Sequence, residues 1–299
     1  MKKLLYVFLI LSFFGYSQEE ENTIKVTDTV TVHPQAVSTS PWQGKGSFSV
    51  LGNQTSFNDD WVGGGISNLA VNSRLEYEMN YKKAQWTWDN RINMAYGITK
   101  LKEKDRVRKT DDLIEISSVV GKNTGSGYWS YSGYFNFKTQ FAKGYNFDKN
   151  DSRTLVSRGF SPAYFQLGPG LLWKKNENFQ INLAPATTRL ILVDKFFTRE
   201  KEAFGVDQGE TSNIEFGASI AGAHKFELFK NVTLENILKL YSNYLEKVSN
   251  VDINYTLNMV STINKHMTAN FSFQTIYDDD TTGSFQVRQM IALGVNYAL

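Results

Sequence analysis

The sequence predicts an all-β protein, a transmembrane antiparallel β-barrel of about 12 strands, preceded by a signal peptide and a flexible N-terminal tail. Three observations carry this reading. Apolar and polar residues alternate one by one over runs longer than the ~5–6 residues of an ordinary strand. The connections between those runs are short and long in turn through the whole chain. The first seventeen residues have the composition of an export signal.

Met1-Lys2-Lys3 is a short basic start, and Leu4 to Phe14 is an almost unbroken apolar stretch. Gly15 and Ser17 place small residues where a signal peptidase reads, which makes residues 1–17 a signal peptide and Gln18 the mature N-terminus. The apolar stretch is too short to cross a bilayer comfortably as a helix, and no later segment supplies the roughly 20 apolar residues that a membrane helix needs. Residues 18–44 read as a periplasmic tail. It opens on Glu19-Glu20-Glu21, contains Pro34 and Pro41, and has no sustained period beyond a short strand expected near Lys25 to Val32. The barrel is expected over residues 45–299.

The first barrel strand is expected over 45–57. The segment after it, SFNDDWVGGGISN (Ser56 to Asn68), resembles a phosphate-cradling loop but lacks the following helix and lysine that such a loop requires. Gly63 to Gly65 are therefore read as the tight backbone of the first outer turn, with Trp61 as an interface anchor. Strand two, Leu69 to Tyr81, alternates most clearly. Leu69, Val71, Leu75, Tyr77, Met79 and Tyr81 share one face, and Asn72, Arg74, Glu76, Glu78 and Asn80 share the other. In the next run Trp86, Trp88, Ile92, Met94, Tyr96 and Ile98 oppose Asp89, Arg91 and Asn93, with Asn90 as the exception on the oily face. Further strands are expected over 112–122, 128–142, 163–173, 179–193, 211–227, 232–244, 251–263, 267–277 and 284–299.

Lys82–Gln85, Asn123–Gly127, Lys174–Asn178, Leu228–Asn231 and Asn264–His266 are the short turns. Asn58–Asn68, Lys100–Asp111, Lys143–Pro162 and Asp194–Glu210 are long, and Leu245–Asn250 and Asp278–Gly283 are intermediate. A sandwich has no reason to segregate loop length so regularly. An outer-membrane barrel has short periplasmic turns, long outer loops and an even strand count. The last strand, with Val287, Ile291, Leu293, Val295, Tyr297 and Leu299 in its alternation, resembles the terminal strand read by the outer-membrane insertion machinery. That signal usually ends in an aromatic residue, whereas Leu299 is last here.

Asn53-Gln54 with Trp61 and Gly63-Gly64, then WTWDNRINMAYG (Trp86 to Gly97) and KTDD (Lys109 to Asp112), resemble an uncharacterised family of Bacteroidota outer-membrane proteins known only as a domain of unknown function. The resemblance implies an outer-membrane setting. It supplies no activity and no site residues.

Composition excludes several chemistries. With no cysteine, disulfides, thiolate metal sites and cysteine nucleophiles are ruled out. Loss of Lys2 and Lys3 with the signal takes the formal charge from +2 to 0, so there is no electrostatic case for nucleic acid. His33, His224 and His266 lie on different elements without ligand spacing, and His224 is read as part of an interfacial aromatic girdle. Asp278-Asp279-Asp280 could take a cation through carboxylates but lacks the ligand alternation of an EF-hand, and it is read as a solvated hairpin tip. No cofactor motif and no nucleophile–base pair is present, so no enzyme is expected.

The polar faces carry the functional expectation. Arg74, Glu76, Glu78, Asp89, Arg91, Glu115, Lys138 and Arg288 are the lumen-lining candidates, continued by Gln140, Gln166, Glu215, Glu235, Lys239, Asp252 and Gln274. Such a mixed lining either closes the lumen with ion pairs or lines a narrow channel or transporter for small solutes. The alternative is a structural or adhesion protein acting through its extracellular loops, Lys143–Pro162 and Asp194–Glu210 above all. The expected partners are the outer-membrane lipid bilayer, the insertion machinery during biogenesis, and a small solute or surface partner.

Overall fold

The computed structural model describes residues 40–56, 67–102, 107–148, 151–246, 248–278, 280 and 283–299. The expected signal peptide, the tail up to residue 39, Trp61, Gly63 to Gly65 and Asp279 lie outside these residues.

Among the described residues, fourteen strands and one short helix are formed. They are β1 (Trp42–Thr55), β2 (Asn68–Lys83), β3 (Trp86–Leu101), β4 (Val107–Asn123), β5 (Trp129–Thr139), β6 (Gly144–Phe147), β7 (Arg153–Ser157), β8 (Ala163–Asn176) and β9 (Phe179–Leu192). After the single-turn helix α1 (Lys195–Thr198) come β10 (Ser212–Phe229), β11 (Val232–Asn243), β12 (Asp252–Thr262), β13 (Met267–Tyr277) and β14 (Gln286–Ala298). Twelve of the strands close an antiparallel barrel in the ring order β1-β14-β13-β12-β11-β10-β9-β8-β5-β4-β3-β2. Closure is made by β1 on β14, Ser47 opposite Ala298 through Gly52 opposite Leu293. No free sheet edge is left in the ring.

Three details depart from expectation. β1 begins at Trp42, because Trp42-Gln43-Gly44 pair with Tyr81-Asn80-Met79, so these three residues belong to the barrel and not to the tail. β4 starts at Val107, well before residue 112, which leaves only a short connection after β3. The segment 143–162, expected as a plain loop, contains its own hairpin, β6–β7. That hairpin is tied to the rim: Asp112 accepts from the backbone N–H of Phe141 (2.7 Å) and Ala142 (2.9 Å), and Lys109 Nζ donates to Asp112 (2.6 Å).

Burial is inverted relative to a water-soluble protein. Ile291, Leu293, Val295, Ile214 and Leu167 are each more than half exposed on the outside, while Glu215 (1% exposed), Asn182 (3%), Asn136 (6%) and Arg189 (7%) are buried inside. Such an apolar exterior is stable only against hydrocarbon. The shortest ring strands have 11 residues, enough for a tilted crossing of the ~9–11 residues required. At the end carrying the short turns, rings form an interfacial belt: Trp42–Tyr81 (5.0 Å), Trp42–Trp88 (5.5 Å), Tyr128–Trp173 (5.9 Å), Trp173–Phe179 (5.4 Å) and Phe179–His224 (4.9 Å). Closed ring, even strand number and apolar exterior together make this a bacterial outer-membrane barrel.

Candidate functional site in the barrel lumen

Because side chains alternate across a strand, each strand that puts an oily residue into lipid puts its neighbour into the lumen. β2 thus delivers Arg74, Glu76 and Glu78 inward, β3 delivers Asp89 and Arg91, and β4 delivers Asp111 and Glu115. Lys138 comes from β5, Glu235 and Lys239 from β11, and Arg288 from β14. All eight candidates from the sequence line lumen cavities: Glu78, Asp89, Arg91 and Glu115 on the turn side, and Arg74, Glu76, Lys138 and Arg288, again with Glu115, in the middle.

The long cationic side chains reach across the lumen. Arg91 Nη2 donates to Glu235 at 2.5 Å and also lies 3.0 Å from Glu78, which faces it across the β2–β3 ladder. Lys239 on β11 donates to Glu115 on β4 at 2.5 Å, and Asn136 Nδ2 shares the same carboxylate at 3.3 Å. Lys174 on β8 donates to Asp89 on β3 at 2.7 Å. Arg288 on β14 pairs with Asp111 on β4 at 2.5 Å. Lys45 closes the turn-side end of the set on Glu78 at 2.9 Å. Arg74 and Glu76, two apart on β2, are only loosely associated at 3.8 Å.

Nearer the loops, Arg189 on β9 forms the most buried cluster. It holds Glu215 on the next strand and Asp252 on β12, each at 2.6 Å, and its guanidinium lies 4.2 Å from the Tyr241 ring. Arg189 faces inward because β9 contains a bulge: Ser219 is opposite Ala184, but Gly217 is opposite Thr187, so Pro185 and Ala186 face a single residue. The side-chain parity of β9 reverses there. Proline without an N–H is accommodated at such an irregularity, and Thr187 Oγ1 donates to the Ala184 carbonyl at 2.9 Å.

Between the bridges the lumen is left as cavities of about 160, 90, 290 and 220 Å³. Glu115 and Lys239 border three of the four. At the loop end the connection carrying α1 folds over its own core, with Val206 fully buried among Ile191, Val193, Phe197 and Phe204. Phe204 from that connection lines the largest of these cavities. Among the described residues no group of three or more His, Asp or Glu side chains is placed to hold a metal ion.

Lys45, Asp111, Lys174, Arg189 and Lys225 were not singled out from the sequence, although all face the lumen or its bridges. Lys45, Lys174 and Lys225 were legible by parity; Arg189 was hidden by the parity reversal at Pro185.

The profile of a family described as "Protein of unknown function (DUF3078)" matches residues 52–145, the span that supplies Arg74 to Lys138. No curated protein matches the chain. Among solved structures the chain is similar to the COG4313 outer membrane channel from Pseudomonas putida F1, at 9% identity over 85% of this chain and 94% of that one, with a TM-score of 0.38. It is also similar to the translocator domain of the autotransporter NalP from Neisseria meningitidis (10% identity, 88% and 90% covered, TM-score 0.34). The outer membrane channel DcaP of Acinetobacter baumannii is a third (9% identity, 86% and 97% covered, TM-score 0.29).

Proposed function

We propose that the protein is a narrow outer-membrane channel for water, ions and small solutes, with its short turns in the periplasm. The observation that supports this best is the polar lumen crossed at mid-height by Arg91–Glu235 and Lys239–Glu115. Cavities of about 90 to 290 Å³ between such bridges suit ions and small polar solutes. The charged groups are mostly committed to one another, so the chemistry offered is electrostatic selection rather than catalysis. The lipid bilayer is the obligatory partner, and the outward row of β14 is the segment offered to the insertion machinery. Planar-bilayer recording and liposome swelling with purified protein test the reading. Small, discrete conductance with exclusion of disaccharides is expected; no flux of any ion or solute from a folded barrel overturns it.

A second reading is favoured by one observation. Phe141, Phe160 and Phe196 are exposed at the loop end on connections held by hydrogen bonds. An adhesion role would use them. Replacing all three by serine would then abolish cell-surface binding while leaving conductance intact; unchanged binding removes this alternative.

A further inference from the structure

Two lumen lysines stand apart from the ion-pair set. Among the described residues, neither Lys138 nor Lys225 has an ion-pair partner. Each nevertheless lies directly across the strand ladder, on the same inward face, from a carboxylate that reaches over the lumen. Lys225 on β10 is opposite Glu235 on β11, and Lys138 on β5 is opposite Glu115 on β4. Side chains opposed in this way have Cβ atoms about 4.5–5.5 Å apart, within reach of a lysine and a glutamate by rotamer change alone.

We propose that these residues form a partner-exchange gate. In the arrangement seen, Glu235 is held by Arg91 and Glu115 by Lys239, and both bonds cross the lumen. In the second arrangement Glu235 turns to Lys225 and Glu115 to Lys138, while Arg91 keeps Glu78, already 3.0 Å away on its own side of the barrel. Every carboxylate retains a cation in both arrangements. The exchange withdraws two bridges into the wall without moving the backbone, and it joins the cavities that Glu115 and Lys239 separate. The exchange frees Lys239 and gives Lys138 and Lys225 a carboxylate each, so the number of ion pairs is unchanged, and a ligand or a potential that favours one arrangement shifts the populations.

This inference rests on the channel reading for its purpose but not for its test. Lys225→Gln and Lys138→Gln remove the wall partners while leaving the bridges as they stand, and Glu235→Gln removes a bridge. The chain has no cysteine, so Asn93→Cys, on the border of two cavities, reports lumen access through its rate of modification by a charged thiol reagent. Single-channel current is recorded in parallel, after a heat-modifiability gel has verified that each variant is folded. Glu235→Gln is expected to raise open occupancy and modification rate, and each lysine variant to lower both roughly fivefold, the scale of one partly exposed ion pair. A purely structural role for two unpaired lysines would move neither quantity, so wild-type values in both lysine variants overturn the gate and leave the channel standing. Should no form conduct while modification follows the stated pattern, the gate stands and the channel reading falls.

Discussion

Arg91 and Glu235 meet at 2.5 Å although their strands are as far apart as the barrel permits: β3 and β11 are six places apart either way round a ring of twelve. Their bond is therefore a strut between opposite walls. Both side chains are mostly screened from solvent, at 23% and 13% exposed, so removing one leaves the other poorly solvated. Arg91 also serves Glu78. Arg91→Met is expected to cost about 1–3 kcal/mol, below the ~3–5 kcal/mol of a fully buried pair. Denaturant unfolding in liposomes measures it, and a cycle with Glu235→Gln should return a coupling of about 1 kcal/mol or more.

Arg189 is the harder case. It is 7% exposed, and Glu215 beneath it is 1% exposed, so Arg189→Leu strands a carboxylate that has no route to water. A loss of about 3–5 kcal/mol is expected from unfolding midpoints. Adding Glu215→Gln should recover part of it, since one of the two carboxylates that Arg189 held is then neutral while Asp252 keeps its charge. If the double variant is no more stable than the single, the cost lies in Asp252 or in packing against Tyr241 and not in the Glu215 charge.

How much of this was legible depends on where alternation is clean. From Leu69 to Tyr81 the period of two is interrupted only by Ser73 on the oily face and Ala70 on the polar one, and it shows which side chains face the lumen. In β9 it breaks at Pro185-Ala186, because two residues there face one on β10; the oily parity before the bulge becomes the inward parity after it, and Arg189 was lost with it. Alternation also says which way a side chain points but not whom it meets. That Arg91 finds Glu235 across 144 positions of sequence follows from ring closure and strand order, which a local pattern does not contain. The hairpin β6–β7 was missed for a third reason: strands of four and five residues are too short to display a period.

The bulge has its own signature in glycine. A Cβ on Gly217 would lie 1.9 Å from the Ser242 carbonyl oxygen, and one on Gly170 would lie 2.2 Å from that of Leu183. Both obstacles are backbone and neither can swing away. Gly217→Ala and Gly170→Ala are expected to abolish the folded, heat-modifiable band on gels. Gly52→Ala, whose added Cβ meets nothing within 4 Å, should fold normally. Equal folding of all three would show that the wall yields at the bulge.

The lipid assignment of the outer face makes a separate demand. Ile291 lies mid-strand on β14 and is 73% exposed outward, whereas Ser49 on the neighbouring strand β1 lines a lumen cavity. A cation at the bilayer midplane costs about 2–4 kcal/mol on a barrel's lipid face and far less in a wet lumen. Ile291→Arg should therefore lower stability in liposomes by about that amount, and Ser49→Lys should change it by less than about 1 kcal/mol. The comparison uses one barrel, one bilayer and one added positive charge, so only the direction of the side chain differs. Equal costs would mean that the apolar face of β14 does not meet hydrocarbon.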